Sequence, residues 1–392
     1  MARTLKGSKQ TASPAEAKKV DPQPLSAQPH DADSLVVGCS LIENKDKAHI
    51  LIAQSNFELA IKFLERALEV EPTHLEAKEL VGIAELEGGD AEQGRQYLLE
   101  LFPPHSSSAP SHASPYLYLA QSAENPREAL GYYSTATAML EKNIDGRDRK
   151  GKAKQEGERR DEEDEERKSA VNALVAMIEI WMSDLCMEEE AERNCDALIQ
   201  RALLILPKDP EVRLSLASIK MSQSRFEEAK EIAIQLYADI ENKEAFDQTL
   251  PPLPARLALA RLLLEHSEHL SALDVISTIR EEDSLNVEGA YLEGWALYLR
   301  AEAINENPAL LQAPVSSSED NVEREEPMSA EECLSEAMRS LIECAKLYSD
   351  EDYLDEGIGS HVAELLEELE KKGVTPAMND LDEEDEDVEM RS

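Results

Sequence analysis

His266 and His269 are the residues whose spacing comes nearest to that of a metal site. Two imidazoles three positions apart lie on one face of a helix, where both can bind the same metal ion. Glu265 and Glu268 are interleaved with them, but no third and fourth ligands are evident in the sequence. The better interpretation is a solvated helix face on which these polar side chains point into water.

Other catalytic signatures are also missing from the sequence. It contains no glycine-rich phosphate-binding loop, no nucleophile elbow and no HExxH zinc motif. Carboxylate pairs are so frequent that no two can be singled out as general acid and general base. We therefore predict a protein that is not an enzyme and that has no catalytic residue, no cofactor and no bound metal.

The cysteines are scattered along the chain and include no CxxC pair. Their odd number and wide spacing indicate reduced thiols packed between helices, not a disulfide framework or a metal site. Reduced thiols are typical of the cytosol and the nucleus, so we expect a cytoplasmic and nuclear protein. The five cysteines are Cys39, Cys186, Cys195, Cys333 and Cys344.

The charge of the chain indicates what kind of partner it can bind. There are 40 Lys and Arg residues and 82 Asp and Glu residues among 392, which gives a formal net charge of −42. So negative a field repels phosphates and anionic lipids, and it attracts cationic partners. No run of about 18 apolar residues, as a membrane span needs, is present. We predict a basic protein as the partner, and no direct binding to nucleic acid or to a membrane.

The helices that position the Asp and Glu residues are predicted from a repeat with a period of 34 residues. In each copy a small residue is followed by apolar residues four and seven positions later. In two copies a proline lies twelve positions after the small residue. In four cases another small residue (Ala48, Gly82, Ala217 or Ala260) lies twelve positions earlier, where a preceding helix requires it. The groups are Ala60, Leu64, Ala67 and Pro72; Gly94, Leu98 and Leu101; Cys195, Ile199, Ala202 and Pro207; Ala229, Ala233 and Leu236; Ala272, Ile276 and Ile279; and the weaker sets Ala129, Tyr133 and Ala136, and Ala337, Leu341 and Cys344.

The turns between these helices resemble those of tetratricopeptide repeats, whose period is also 34 residues. The segments Asn56–Ala60 and Arg225–Ala229 resemble the aromatic-x-x-Ala turn, and Pro72 and Pro207 resemble the proline that closes each repeat. The likeness covers residues 41–350. It implies an all-α tetratricopeptide-repeat superhelical solenoid of about seven helix pairs with disordered termini. An unrelated helical array is the alternative.

Two segments interrupt the register, and both ends of the chain lack it. Residues 145–168 are almost wholly charged, and residues 304–328 contain three prolines. Such compositions are typical of solvated or disordered segments. The predicted organisation is a disordered leader at 1–33, repeats 1–3 at 34–144, a charged disordered insertion at 145–168, repeats 4–7 at 169–350 with a polar loop at 304–328, a capping helix at 351–373 and an acidic disordered tail at 374–392.

Acidic and aromatic residues on the first helix of each pair are the candidate binding residues. The resemblance implies that these helices line a concave surface where partners bind. Carboxylates with a few aromatic rings suit an Arg- and Lys-rich segment, through charge-assisted hydrogen bonds and cation–π contacts. A generic solvated helix surface is the alternative. The predicted concave-face residues are Glu76, Glu79, Glu87, Asp184, Glu188, Glu211, Glu265, Glu288, Tyr291 and Trp295.

The whole plan resembles the fungal family of dedicated assembly chaperones of large-subunit ribosomal protein four. The likeness lies in a short leader, repeats entered after Asp33-Ser34-Leu35, a charged insertion and an acidic end. It implies a chaperone that binds the newly made basic protein through its long basic loop, protects it and delivers it to nuclear pre-ribosomes. A tetratricopeptide scaffold or adaptor subunit of another multiprotein complex is the alternative.

A basic cluster in the insertion resembles a bipartite nuclear import signal. Such a signal would make a nuclear import receptor a further partner. A charge-balanced, solvated linker is the alternative interpretation. The cluster consists of Lys150, Lys152, Lys154, Arg159 and Arg160.

Overall fold

The computed structural model describes residues 41–150, 157–311, 327–351 and 353–377, which form helices joined by turns and loops, without a strand. The chain divides into two units, the first of which ends at Pro110. Unit 1 contains α1 (Leu41–Ala53), α2 (Phe57–Val70), α3 (Leu75–Gly88) and α4 (Ala91–Leu99). Unit 2 contains α5 (Ser114–Gln121), α6 (Pro126–Lys150), α7 (Gly157–Met182), α8 (Ala191–Ile205), α9 (Pro210–Ser222), α10 (Phe226–Ala238), α11 (Leu253–Glu265), α12 (His269–Glu282), α13 (Val287–Glu306), a short 3-10 helix (Pro308–Leu311), α14 (Ala330–Asp350) and α15 (Glu356–Lys371).

Consecutive helices pack as hairpins in both units. In unit 1, α1 pairs with α2 and α3 pairs with α4. In unit 2, α5 pairs with α6, α7 with α8, α9 with α10, α11 with α12 and α13 with α14, and α15 packs on α14. Each pair buries its apolar residues against its neighbours, as a helical repeat requires. The predicted repeat of seven helix pairs is therefore confirmed within the described residues. None of the helices described is both long and apolar enough to cross a bilayer.

Small residues lie where paired helices approach closely, as the 34-residue repeat predicts. A Cβ atom placed on Gly94 of α4 would lie 2.7 Å from the carbonyl oxygen of Gly82 in α3. A Cβ atom on Gly294 of α13 would lie 2.6 Å from Leu341 of α14. Alanines with no exposed surface occupy the same positions in three other pairs: Ala48 with Ala60, Ala217 with Ala229, and Ala260 with Ala272.

Proline and capping side chains determine where one repeat ends and the next begins. Pro207 lies two residues after α8 ends and, since proline cannot continue a helix, it marks the turn. Asp209 then accepts hydrogen bonds from the N–H groups of Glu211 and Val212, at 2.9 and 3.2 Å, and starts α9. Asn286 caps α13 in the same way, so the first helix of each of these pairs begins after a short turn.

The charged disordered insertion predicted for residues 145–168 is wrong for most of its length. Residues 145–150 are the end of α6, and residues 157–168 are the beginning of α7. Residues 151–156, which include part of the basic cluster, lie outside the described residues. The two helices extend the third and fourth pairs.

The physical reason is that a highly charged segment can still form a helix when apolar residues within it continue the buried stripe of the helix. Leu140 and Ile144 are buried, four residues apart, and they continue the stripe of α6 into the charged region. Asn143 of α6 also donates a hydrogen bond to Glu166 of α7, at 2.8 Å. Glu, Lys and Arg have high helix propensity, so the exposed faces of both helices tolerate their charge.

The polar loop predicted for residues 304–328 begins later than expected, because α13 continues to Glu306 and the 3-10 helix follows. Residues 312–326 lie outside the described residues, as do the leader at 1–33 and residues 378–392 of the tail. The described start of the tail turns back onto α14, where the Ala377 N–H donates to the Ser335 carbonyl oxygen at 3.1 Å.

Three of the five cysteines are packed between helices as predicted. Cys195, Cys333 and Cys344 are buried, and burial raises the pKa of Cys195 and of Cys344 to about 11. Such thiols stay protonated at neutral pH and are poor nucleophiles. Cys186 is exposed in the turn after α7, so the packing prediction is wrong there, and Cys39 lies outside the described residues.

Candidate functional site

Three consecutive first helices of unit 2, α7, α9 and α11, line an open cavity of about 540 Å³, which we call the inner groove. The apolar part of its surface comes from residues such as Ile178 of α7, Leu214 of α9 and Ala255 of α11. Apolar walls with a few polar groups are typical of binding sites. The residues that line it are Val175, Ile178, Glu179, Met182, Ser183, Glu211, Leu214, Ser215, Ser218, Pro254, Ala255 and Ala258.

Two carboxylates, Glu179 of α7 and Glu211 of α9, face the inner groove. Burial raises the pKa of Glu179, and burial together with the negative charges of Asp209 and Glu179 raises the pKa of Glu211. Neither carboxylate forms an ion pair within the described residues. Since nothing there compensates their charge, a bound cation would stabilise the ionised form of both.

A second cavity, of about 350 Å³, lies beside the inner groove and is lined by α5, α6 and α7. Glu179 and Ser183 line both cavities, and Glu124 and Asp184 add two carboxylates to the second one. We call Glu124, Asp184, Glu179 and Glu211 the acidic strip. It places four carboxylates along one continuous surface of unit 2.

Glu179 is the binding candidate that the sequence analysis missed. The prediction placed Asp184 and Glu188 on the first helix of the fourth pair, but α7 ends at Met182. Glu188 lies in the following turn, where Arg127 donates a hydrogen bond to it at 2.7 Å. The sequence did contain a signal for Glu179. Apolar residues of α7 spaced at i, i+3 and i+7 form a stripe along the helix, and Glu179 lies at the edge of this stripe.

The predicted residues Glu288, Tyr291 and Trp295 lie together on α13. The rings of Tyr291 and Trp295 stack with centroids 5.8 Å apart, and the ring of His361 in α15 meets both edge-on. Tyr291 Oη and His361 Nδ1 share a hydrogen bond of 2.8 Å, and Glu288 pairs with Arg261 of α11. Burial raises the pKa of Tyr291 to about 12 and also raises the pKa of Glu288. These polar groups are therefore already partnered inside unit 2.

The predicted residues of unit 1, Glu76, Glu79 and Glu87, all lie on α3. Lys45 of α1 donates to Glu76 at 3.0 Å, and His49 is 3.7 Å from the same carboxylate. The hydrogen bond from Lys45 lowers the pKa of Glu76. Glu79 is half-buried with a partner of its own, and Glu87 is exposed. Glu76 is exposed as well, so of the three Glu87 is the exposed carboxylate that no ion pair holds within the described residues.

The remaining predicted residue, Glu265, is the exposed last residue of α11, beside His266. His269 is buried at the start of α12, where burial and the positive charge of Arg300 lower its pKa. A solvated helix face is therefore the wrong interpretation for His269. Across the part of the chain that the structure describes, no three His, Cys, Asp or Glu side chains are grouped so that they could hold a metal ion.

No protein-family model matches the chain. A probable assembly chaperone of rpl4 from Schizosaccharomyces pombe is 30% identical over 280 residues, which cover 71% of this chain and 73% of that protein. A protein of the same description from Emericella nidulans is 28% identical over 341 residues, covering 83% and 80%. The solved structure of an assembly chaperone of RpL4 (Acl4, residues 1–338) superimposes with a TM-score of 0.60 at 28% identity, covering 69% of this chain and 100% of that one. The chain therefore belongs to the family of probable assembly chaperones of rpl4.

Proposed function

We propose that this chain is a dedicated chaperone that binds and protects newly made rpl4, the basic ribosomal protein four of the large subunit. Family membership supports the identity of the client. The observation that supports the mode of binding is the pair of uncompensated carboxylates, Glu179 and Glu211, in the inner groove. The net charge of −42 agrees in sign with a cationic client.

The inner groove suits the side chain of an arginine or lysine. Its aliphatic stem would pack on apolar residues such as Ile178 and Leu214, while the cationic end would reach Glu179 and Glu211. Hydrogen bonds between a guanidinium or ammonium group and carboxylates are about twice as strong as neutral ones. Such a contact would also relieve the repulsion between the two carboxylates, which the raised pKa of Glu211 reflects.

The client segment that we propose for the groove is the long basic loop of rpl4. The rest of the acidic strip, Glu124 and Asp184, would contact neighbouring basic residues of an extended segment. We also propose that the complex passes from the cytoplasm to nuclear pre-ribosomes with the help of a nuclear import receptor. In this proposal the chain acts by binding alone and catalyses no reaction.

The test is binding of purified rpl4 to the full chain and to a Glu179→Gln/Glu211→Gln variant. Both substitutions keep the shape of the groove and remove its charge. Hydrogen bonds to charged groups contribute about 1.5–3 kcal/mol each and neutral ones about 0.5–1.5 kcal/mol. Because glutamine still accepts a neutral hydrogen bond, each substitution should cost about 1 kcal/mol, and we expect Kd to rise by at least about tenfold. Glu231→Gln, at an exposed position of α10, is the control for charge and should leave Kd unchanged.

The outcomes separate the two parts of the proposal. No binding of rpl4 by the unaltered chain would refute the function itself. Equal affinity of the double variant and of Glu231→Gln would refute the inner groove as the binding site.

A further inference from the structure

The last helix, α15, has the sequence pattern of a first helix, but no second helix follows it in the described residues. In α1, α3, α9, α11 and α13 the eighth helical residue is the small residue that packs under the second helix of the pair. The eighth residue of α15 is Ala363. Unlike its equivalents, which are all buried, Ala363 is exposed. The place of the missing second helix is therefore open. The five equivalent residues are Ala48, Gly82, Ala217, Ala260 and Gly294.

An apolar cavity of about 430 Å³ lies at this place, between α14 and α15. Tyr348 forms one wall, and it packs so closely on α15 that a Cβ atom on Gly359 would lie 2.9 Å from its ring. Ala345, Ala363 and Leu366 provide further apolar surface. We call this cavity the eighth-repeat slot.

The other pairs show what shape the slot accepts. In the seventh pair Leu341 of the second helix lies directly over Gly294 of the first helix. In the second pair Leu98 lies over Gly82, where an added Cβ atom would be 2.9 Å from the leucine. By the same geometry the slot accepts a helix that places a large apolar residue over Ala363.

The charges around the slot determine which helix fits. Glu356 lines the slot, and acidic residues outnumber basic ones among the exposed residues of the second half of α14, of α15 and of the turn between them, so a helix with Lys and Arg along its flanks is complementary. A second copy of this chain carries the same strongly negative charge and is repelled. The acidic side chains are Asp350, Glu351, Glu356, Glu364 and Glu367, and the basic ones are Lys346 and Lys371.

The two ends of this chain do not have the required composition. Eight of the ten residues 380–389 are Asp or Glu, so that the tail would bring further negative charge to an acidic rim. The leader, residues 1–33, is rich in Ser, Ala and Pro and has no apolar period of a helix. A segment of another, cationic protein can have the required composition.

We infer that the eighth-repeat slot binds a basic amphipathic helix of the client, which completes the array as the second helix of an eighth pair. The inference rests on the proposed function, because the client is the cationic protein that it assigns. It adds a helical contact on a surface built by α14 and α15, apart from the inner groove of α7, α9 and α11.

Photo-crosslinking tests this directly. A benzoylphenylalanine residue at position 363 is compared with one at position 238, another exposed alanine of a helix in unit 2, in the full chain bound to rpl4. We expect a crosslink from position 363 to a Lys- and Arg-bearing helical segment of rpl4, and none from position 238. A crosslink to a second copy of the chain, to residues 1–40, or to nothing would overturn the inference.

An affinity measurement complements the crosslink. Ala363→Arg places bulk and positive charge in the slot at an exposed position, where alanine and arginine have similar helix propensity, so the fold should be kept. We expect Kd for rpl4 to rise by about tenfold, with an unchanged Tm, and we expect Ala238→Arg to bind normally. Equal Kd values for the two variants would refute the slot alone, while the response of the Glu179→Gln/Glu211→Gln variant still tests the proposed function.

Discussion

Replacing Gly94 with alanine tests whether helix approach, and not glycine as such, determines the repeat. Gly94 lies on α4 and faces Gly82 of α3. An added Cβ atom would lie 2.7 Å from the Gly82 carbonyl oxygen and 2.9 Å from the backbone nitrogen of Leu86. Because these are backbone atoms, no side-chain rotation can relieve the overlap, and the two helices must move apart.

Two opposing free-energy contributions determine how much Gly94→Ala changes the stability of α3 and α4. Alanine is favoured over glycine inside a helix by about 0.5–1 kcal/mol. Overpacking of a close contact typically costs about 1–3 kcal/mol. For Gly94→Ala we therefore expect a net loss of roughly 1–2 kcal/mol in the local stability of α3 and α4. Gly131→Ala in α6 is the matched control, because nothing lies within 4 Å of its Cβ position, and it should stabilise α6 by about 0.5–1 kcal/mol.

Hydrogen–deuterium exchange of peptides from each helix is the suitable assay, since it reports local opening in a chain that has two units. A loss of 1–2 kcal/mol corresponds to about 5–30-fold faster exchange in α3 and α4. Exchange in α6 should become slower in Gly131→Ala. If Gly94→Ala slows exchange as Gly131→Ala does, then the helices do not approach closely and the explanation of the repeat fails.

Three further predictions follow from the charges. Affinity for rpl4 should fall as the pH drops through the raised pKa values of Glu179 and Glu211, because protonated carboxyls no longer attract a cation. Calorimetric titration from about pH 4 to pH 8 checks this, and a pH-independent Kd would contradict it. Affinity should also fall steeply with salt, since screening weakens attraction between exposed charges, whereas a Kd insensitive to sodium chloride would count against an electrostatic contact. Arg256→Met removes a buried cation that donates hydrogen bonds to Thr278 and Glu282. Because the Glu282 carboxylate keeps contact with water, the loss should be about 1.5–3 kcal/mol, seen as a lower Tm, and an unchanged Tm would contradict it.

The last of these has a pH signature of its own. Hydrogen bonding to Arg256 lowers the pKa of Glu282 below its unfolded value. The pair therefore stabilises the fold fully above the unfolded pKa, and this contribution is lost as the pH falls through the folded pKa. In Arg256→Met the stability should depend less on pH in that acidic range. The amide of Phe246, which donates to Glu282 at 2.8 Å, should also exchange faster.

The sequence by itself determined the repeat and its period. Residues such as Ala60, Gly94, Ala229 and Ala272 each lie twelve positions after another small residue, because each pair meets the same steric demand where its helices touch. This requirement is the same within every helix pair, so it produces a periodic pattern that is visible in the sequence alone. The excess of carboxylates over basic groups likewise indicated the sign of the partner's charge.

Only the tertiary structure decided which carboxylates are available to a partner. Glu76 and Glu288 looked equivalent to Glu211 in the sequence, but each is paired with a cation from another helix, Lys45 and Arg261 respectively. Glu179 faces the inner groove, and only the packing of α7, α9 and α11 creates that groove. Ion pairing and exposure depend on residues far apart in the chain, and no local pattern records which of them meet.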